Sequence, residues 1–201
     1  MTAAILTIDQ AVAALEGGGV VGVPTDTVYG VAALLRDREA VDKLFALKRR
    51  PDSTPLPVLV ASLHQISHLG VMWPEPARRL GEAFWPGPLT IVVHVPDVLG
   101  QRVGSANATV GFRMPDDELL RDLLERCGPL CVSSANEHGH TPCTSAADVV
   151  ATLGDRDELS GVIDDGERSG VVSTVVDVST GECRVPRVGA VSEGVLRAIL
   201  N

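Results

Sequence analysis

The chain has 201 residues, 45% of them hydrophobic and 21% charged, with a formal net charge of −9 at pH 7. That length and apolar share suit one domain, residues 1–201, with a substantial core, and exclude a disordered chain. The acidic balance and 3% aromatic content weigh against a general nucleic-acid binder, which needs a basic stripe or stacking platforms.

Ile8, Val12 and Leu15, with Ala11 and Ala14, recur at helical spacing and run into Gly17-Gly18-Gly19, which predicts an amphipathic helix stopped at glycine. Residues 20–23 read as a buried strand and residues 30–35 as a second. Ala40, Val41, Leu44 and Leu47 share one face of a helix over residues 37–47, which ends beside Lys48-Arg49-Arg50-Pro51. Residues 56–61 form a strand with Pro57 at its edge or start. Helices over residues 62–69 and 75–84 lead to a turn, Trp85-Pro86-Gly87-Pro88, and a β-branched strand over 89–95. Another strand is expected over 109–114, then a helix over 116–126 with acids in its first turn. A short strand at 130–132 and a helix at 145–153 follow. Strands at 162–164, 174–178 and 184–188 and a closing helix at 192–200 complete the pattern.

Helices and strands mix without strict alternation, so the expected fold class is α/β with a twisted mixed sheet surrounded by helices. Residues 155–171, rich in glycine and acids, are the expected mobile loop. No run approaches the roughly 18 apolar residues of a membrane-spanning helix, and the N-terminus lacks the basic start of a signal peptide. Cys127, Cys131, Cys143 and Cys183 show neither a CxxC pair nor zinc spacing, which suits reduced, mostly buried thiols in a cytoplasmic protein.

Three cations closing a helix in an acidic protein suit a polyanion such as a triphosphate, though a solvated charge run reads the same way in isolation. Ser133-Ser134-Ala135-Asn136 supplies hydroxyls and an amide of the kind that grip phosphate oxygens or a base edge. The turn Val23-Pro24-Thr25-Asp26-Thr27-Val28-Tyr29-Gly30 offers hydroxyls, a carboxylate and a phenol, either as an ordinary Asx or Ser/Thr turn or as a seat for an amino acid. There is no GxxxxGK[ST] loop, no GxGxxG and no GxSxG elbow, so those nucleotide and hydrolase scaffolds are not available. His64 and His68 stand four apart without a third ligand, and Asp164-Asp165-Gly166 reads as a turn, so no metal site is expected.

Taken in order, Pro24-Thr25-Asp26-Thr27-Val28-Tyr29-Gly30, Lys48-Arg49-Arg50-Pro51, Trp85-Pro86-Gly87-Pro88-Leu89-Thr90, Arg113-Met114-Pro115, Ser134-Ala135-Asn136 and Ser173-Thr174-Val175-Val176-Asp177 closely resemble the YrdC/TsaC family of threonylcarbamoyl-AMP synthases. The resemblance covers residues 8–200 and points to the short, single-domain form. It implies a YrdC-like sheet wrapped around a large concave cavity. It also implies a cytoplasmic nucleotidyltransferase that makes threonylcarbamoyl-AMP and pyrophosphate from L-threonine, bicarbonate or CO2, and ATP. Partner proteins would then transfer the threonylcarbamoyl group to tRNA adenosine.

By the same resemblance Lys48 and Arg50 neutralise phosphate in the transition state. Thr27, Tyr29, Arg113 and Ser173 serve threonine, with Arg113 forking onto its carboxylate. Thr54, Thr109, Ser134, Asn136 and Arg187 join Lys48 and Arg50 at the nucleotide. Mg²⁺ is expected on the ATP phosphates, without a protein cage. The chain departs from the family pattern at Thr54, at Leu59, at Pro142-Cys143-Thr144 and at Arg187-Val188-Gly189. These positions bear on efficiency and amino-acid choice, and any nucleotide contact from Pro142 would be through its backbone. Two other readings of the same fold are a YciO-like RNA- or ribosome-binding module and a carbamoyl transferase like the domains of hydrogenase-maturation proteins. The retained Lys-x-Arg pattern speaks against the first, and the missing acylphosphatase and zinc-finger regions against the second.

Overall fold

A computed structural model describes residues 3–49, 55–136 and 140–200. Within them, ten strands make one mixed sheet and eight helices pack around it. In chain order the elements are β1 (Ile5–Leu6), α1 (Ile8–Glu16), β2 (Val20–Val23), β3 (Gly30–Leu34), α2 (Arg38–Lys48), β4 (Val58–Leu59), α3 (Leu63–His68), α4 (Glu75–Phe84) and β5 (Leu89–His94). Then come α5 (Asp97–Arg102), β6 (Thr109–Arg113), α6 (Glu118–Cys127), β7 (Leu130–Ser134), α7 (Ala146–Leu153), β8 (Leu159–Ile163), β9 (Thr174–Asp177), β10 (Arg184–Arg187) and α8 (Glu193–Leu200). The spatial order is β1-β8-β2-β3-β7-β4-β6-β5-β9-β10.

Helix starts follow the local chemistry. The side chains of Thr7, Asp37, Ser62, Asp117 and Ser145 each accept a backbone N–H in the first turn of the helix that follows. Thr7 with Gln10 and Ser145 with Asp148 complete reciprocal capping boxes.

Period-two alternation divides the sheet into two faces. Val31, Ala33, Val58, Leu89, Ile91, Val93, Val110, Phe112 and Val176 point into one core, shared with Leu44 of α2, Leu80 of α4, Val149 of α7 and Leu196 of α8. The opposite face is covered by α1 and α6 over β8, β2, β3 and β7, where Val21, Val23, Ala32, Leu34, Leu130 and Ile163 meet Leu15, Leu120 and Leu124, with Leu59 of β4 at the edge of this cluster. Over β4, β6, β5, β9 and β10 that second face lines a concave cavity instead, through Leu59, Gly111, Val92, Val175 and their neighbours.

Three expectations change. The strand expected over residues 56–61 shrinks to β4, although Val132 N–H and Val60 N–H still bond to Pro57 and Arg113 carbonyls on either side. The segment 155–171 is not one loop, because β8 runs through it and pairs in parallel with both β1 and β2. Its glycine has a packing reason: a Cβ on Gly161 would stand 2.6 Å from Leu6 Cγ and 2.8 Å from the Ala4 carbonyl oxygen. β1 and α5 were not expected, being a two-residue strand and a helix of less than two turns.

Candidate active site

The cavity encloses about 440 Å³, within the usual range for small-molecule sites. Polar side chains buried in this protein gather here: Thr25, Thr27, Thr90, Arg113, Ser133 and Ser173 line it, each 6% exposed or less. Tyr29, Thr109, Ser134 and Arg187 line it as well. Of the residues singled out in the sequence, Lys48 and Asn136 stand beside this lining, bonded to Ser134. Arg50 and Thr54 lie outside the described residues.

Strand register sorts these residues into two ends. Val58 pairs with both Phe112 and Cys131, and β7 runs against β4 while β6 runs with it. Three residues back from Phe112 to Thr109 and three forward from Cys131 to Ser134 therefore lead the same way. In the other direction, Arg113 pairs with Leu59, and Thr90 precedes the Ile91–Phe112 pair by one residue. Val175, opposite Thr90, also pairs with Arg187. Thr109, Ser134, Lys48 and Asn136 thus form one polar end, and Arg113, Thr90, Ser173 and Arg187 the other.

At the first end, Lys48 Nζ donates to the Ser134 carbonyl (2.5 Å), to the Asn136 carbonyl and to Asn136 Oδ1 (3.1 Å). Ser134 Oγ donates to the same Asn136 Oδ1 at 2.6 Å, and Asn136 Nδ2 donates to the His140 carbonyl. These bonds hold the Ser-Ser-Ala-Asn turn against the end of α2.

At the second end, Arg113 is fixed on three sides. Nε donates to the Gly87 carbonyl (3.1 Å), Nη1 to Thr27 Oγ1 (3.1 Å) and Nη2 to Asp26 Oδ1 (2.5 Å). A guanidinium has five N–H groups, so one remains on each terminal nitrogen. Asp26, quoted in the sequence motif without a partner, proves to be the counter-ion of a buried pair. Thr25 Oγ1 donates to the Val28 carbonyl (2.7 Å) and accepts the backbone N–H groups of Thr27 (3.1 Å) and Val28 (3.2 Å), so its 2.9 Å contact with Thr27 Oγ1 does not commit the Thr27 proton. The Thr27 hydroxyl accepts from Arg113 and keeps a proton and a lone pair for a ligand.

Arg187 Nε donates to the Ser173 carbonyl (3.0 Å) and Nη2 to Ser173 Oγ (2.9 Å), while Thr90 Oγ1 lies 3.0 Å from the same Ser173 oxygen. Among the described residues Arg187 has no acidic partner. Partial burial, and then the neighbouring Arg113 charge, hold its guanidinium below the usual arginine range. Burial lowers Arg113 as well, against the opposing pull of Asp26. Two cations facing one cavity, Arg113 buried and Arg187 exposed to solvent, with one carboxylate between them constitute a site for anions.

Tyr29 contributes its ring to the cavity but not its hydroxyl. That group donates to the Gly166 carbonyl (2.8 Å) and accepts from Asp165 N–H (3.1 Å). Burial raises its pKa and keeps it a donor. Arg168 caps the Tyr29 ring at 5.8 Å and binds Asp117 (3.1 Å) and Asp165 (2.6 Å). Gly170 N–H donates to the Thr27 carbonyl at 3.2 Å, so residues 164–172 lie strapped over the Thr25–Tyr29 turn. Pro142 does not line the cavity; its neighbour Cys143 instead accepts Tyr29 N–H through its carbonyl at 2.9 Å. Leu59 is a wall of the cavity.

The family model Sua5_yciO_yrdC, described as "Telomere recombination", matches residues 13–189. The chain is 43% identical over 197 residues to a Mycobacterium leprae (strain TN) protein that bears a provisional threonylcarbamoyl-AMP synthase name; the match covers 96% of this chain and 88% of that one. The crystal structure of P. abyssi Sua5 complexed with L-threonine superposes with a TM-score of 0.89 at 35% identity, over 96% of this chain. This chain spans only 57% of that Sua5 chain. E. coli YciO shares the fold, with a TM-score of 0.82 at 24% identity, over 92% of this chain and 90% of that one.

Proposed function

The chain belongs to the Sua5/YciO/YrdC family, and from that footing we propose that it is an L-threonylcarbamoyladenylate synthase, a single-domain nucleotidyltransferase of the cytoplasm. It joins L-threonine, bicarbonate or CO2, and ATP into threonylcarbamoyl-AMP with release of pyrophosphate, and hands the product to proteins that modify tRNA. The observation that carries this reading is the pair of arginines, Arg113 buried and held by Asp26 and Arg187 exposed and without an acid among the described residues, at one end of a cavity whose other end carries Ser134, with Lys48 and Asn136 bonded to it.

Arg113 is buried and already balanced by Asp26, whereas Arg187 is exposed and has no carboxylate partner among the described residues, so its charge is available to an anionic ligand. The two remaining N–H groups of Arg113 suit the threonine carboxylate, in the fork geometry that carboxylates accept. Thr27, whose hydroxyl accepts from Arg113, would exchange a hydrogen bond with a polar group of the amino acid. Ser173, already held by Arg187 and Thr90, completes that end. Threonine differs from serine by one methyl, and Leu59, Val92 and Val175 offer apolar walls for it, worth about 1–3 kcal/mol of discrimination.

In the reaction, the threonine nitrogen bonds to the carbon of CO2 and gives up a proton to solvent, giving a carbamate; where bicarbonate is the source, its C–OH bond breaks and water leaves. A carbamate oxygen then attacks the α-phosphorus of ATP, the bond from that phosphorus to the bridging oxygen breaks, and pyrophosphate leaves. Both partners are anions, so cations at fixed positions lower the barrier by removing repulsion and orienting the attack. Lys48 and Arg50 are assigned to the phosphates, with Thr54, Thr109, Ser134 and Asn136 around the nucleotide. Arg187 belongs with the amino-acid end by register, yet its unpaired charge also suits the carbamate or a phosphate oxygen. Mg²⁺ enters as part of the nucleotide substrate. Among the described residues no group of three or more His, Cys, Asp or Glu side chains is placed to hold a metal ion.

The test is pyrophosphate release from ATP and bicarbonate with threonine, serine or no amino acid, with the product identified by mass. Threonine-dependent release and a threonylcarbamoyl-AMP mass are expected. ATP or threonine binding without release would instead favour the YciO-like reading.

A further inference from the structure

Across β7, β4, β6 and β5, between the two polar ends, runs a row without a side-chain donor or acceptor; the next residue along it, Asp177 opposite Val92 on β9, does not line the cavity. Val92 pairs with Gly111, Pro57 lies against Gly111 from the other side, and the Pro57 carbonyl accepts Val132 N–H at 3.0 Å. Val132, Pro57, Gly111 and Val92 all line the cavity. On β6 the cavity-facing positions are Thr109, Gly111 and Arg113, so Gly111 stands midway between the nucleotide end and the amino-acid end. At about 3.4 Å per residue it lies about 7 Å along the strand from each.

Gly111 has ordinary strand backbone, since it is not among the glycines with positive φ. Glycine inside a strand costs roughly 0.5–1 kcal/mol relative to alanine, so the residue is there for space and not for conformation. A Cβ at this position would stand 2.8 Å from Thr90 Cγ2, 3.5 Å from Val92 Cγ2 and 4.0 Å from Pro57 Cβ. It would rise from the floor of the cavity between the two ends.

We propose that Gly111 is the clearance over which the amino-acid and nucleotide halves are joined, its bare backbone seating the planar carbamate as that group meets the α-phosphate. The inference rests on the synthase reading above. A flat N–C(=O)–O unit can lie on a strand where no Cβ projects. The apolar row keeps water from the mixed carbamic–phosphoric anhydride, which hydrolysis would otherwise consume. Gly111 touches neither the carboxylate-binding arginine nor the phosphate-binding turn, so its substitution separates binding from joining.

The experiment compares the unaltered protein, Gly111→Ala, Thr90→Ser, and the double variant Gly111→Ala/Thr90→Ser. The serine removes the methyl that the new Cβ would strike but keeps the hydroxyl bonded to Ser173. Dissociation constants for L-threonine alone and ATP alone are measured by calorimetry, alongside threonine-dependent pyrophosphate release. Measured against Thr90→Ser alone, the double variant is expected to keep both constants within about threefold, with release slowed at least about tenfold. Release from the double variant as fast as from Thr90→Ser alone would overturn the inference, because the glycine would then serve only the Thr90 methyl. A loss of release matched by an equal loss of threonine or ATP affinity would also overturn it. Failure of the unaltered protein to release pyrophosphate with threonine would instead bring down the synthase reading, and this inference with it.

Discussion

Arg187 makes two hydrogen bonds to Ser173 but has no carboxylate partner among the described residues, and partial burial works against its charge. Such a residue is held for its ligand and not for the fold. Arg187→Met, which keeps the stem and removes the charge, is therefore expected to leave the melting temperature unchanged or raise it. It should lower kcat/KM for pyrophosphate release at least about tenfold, since a charge-assisted contact is worth roughly 1.5–3 kcal/mol. A fall of several degrees together with normal turnover would assign Arg187 to structure. Arg113 differs because Asp26 already balances it inside the protein. Nothing in the sequence announced that pair: the two residues lie 87 positions apart and meet only because the turn after β2 folds back over β6. The motif letters Thr-Asp-Thr and Arg-Met-Pro were legible; their mutual bond was not.

The segment over residues 155–171 shows how an element can be misread from composition. Glycine and acids suggested a mobile loop, and its first part is instead strand β8 while the rest is tied down by side chains from elsewhere. Tyr29, Asp117 and Arg168 are the fasteners, drawn from three separate parts of the chain. Tyr29→Phe removes one hydrogen bond given and one accepted, and Arg168→Ala removes two ion pairs and the cation over the ring. Each bond contributes about 1 kcal/mol net, so hydrogen exchange at the Gly170 amide should speed up at least about fivefold in either variant. The threonine KM should rise with it, because the strap also carries Val172 and Ser173 into the cavity. Unchanged Gly170 exchange in both variants would show that the strap is held by its backbone alone. Helix starts, by contrast, were written locally: Asp37, Ser62 and Asp117 cap the helices that the apolar spacing predicted, since capping needs only residues two or three apart.

The whole molecule is two cores on one sheet, and the thiols report on both. Cys131 is wholly buried in the strand that joins them, and burial pushes its thiol up to about 12. Burial likewise raises Cys127 and Cys143, and less enclosed Cys183 as well. At pH 8 the native protein should thus be labelled slowly by a maleimide, first at Cys183, with the other three reacting only as fast as the fold opens. Prompt labelling of Cys131 without denaturant would mean that the sheet opens locally at β7.

What the sequence determined by itself was whatever depends on neighbours along the chain. Apolar spacing gave most helices and strands, the mixed order of elements gave a mixed sheet, and six ordered motifs gave the family. Which motif faces which was left to the tertiary structure, because side-chain position in a sheet depends on register between strands that may be 80 residues apart. Register alone put Thr109 and Ser134 at one end, put Arg187 beside Ser173 and Arg113 at the other, and left Gly111 between them. The cavity itself follows from the twist of a sheet whose second face is covered by helices over one half only, a property of packing that no stretch of residues carries.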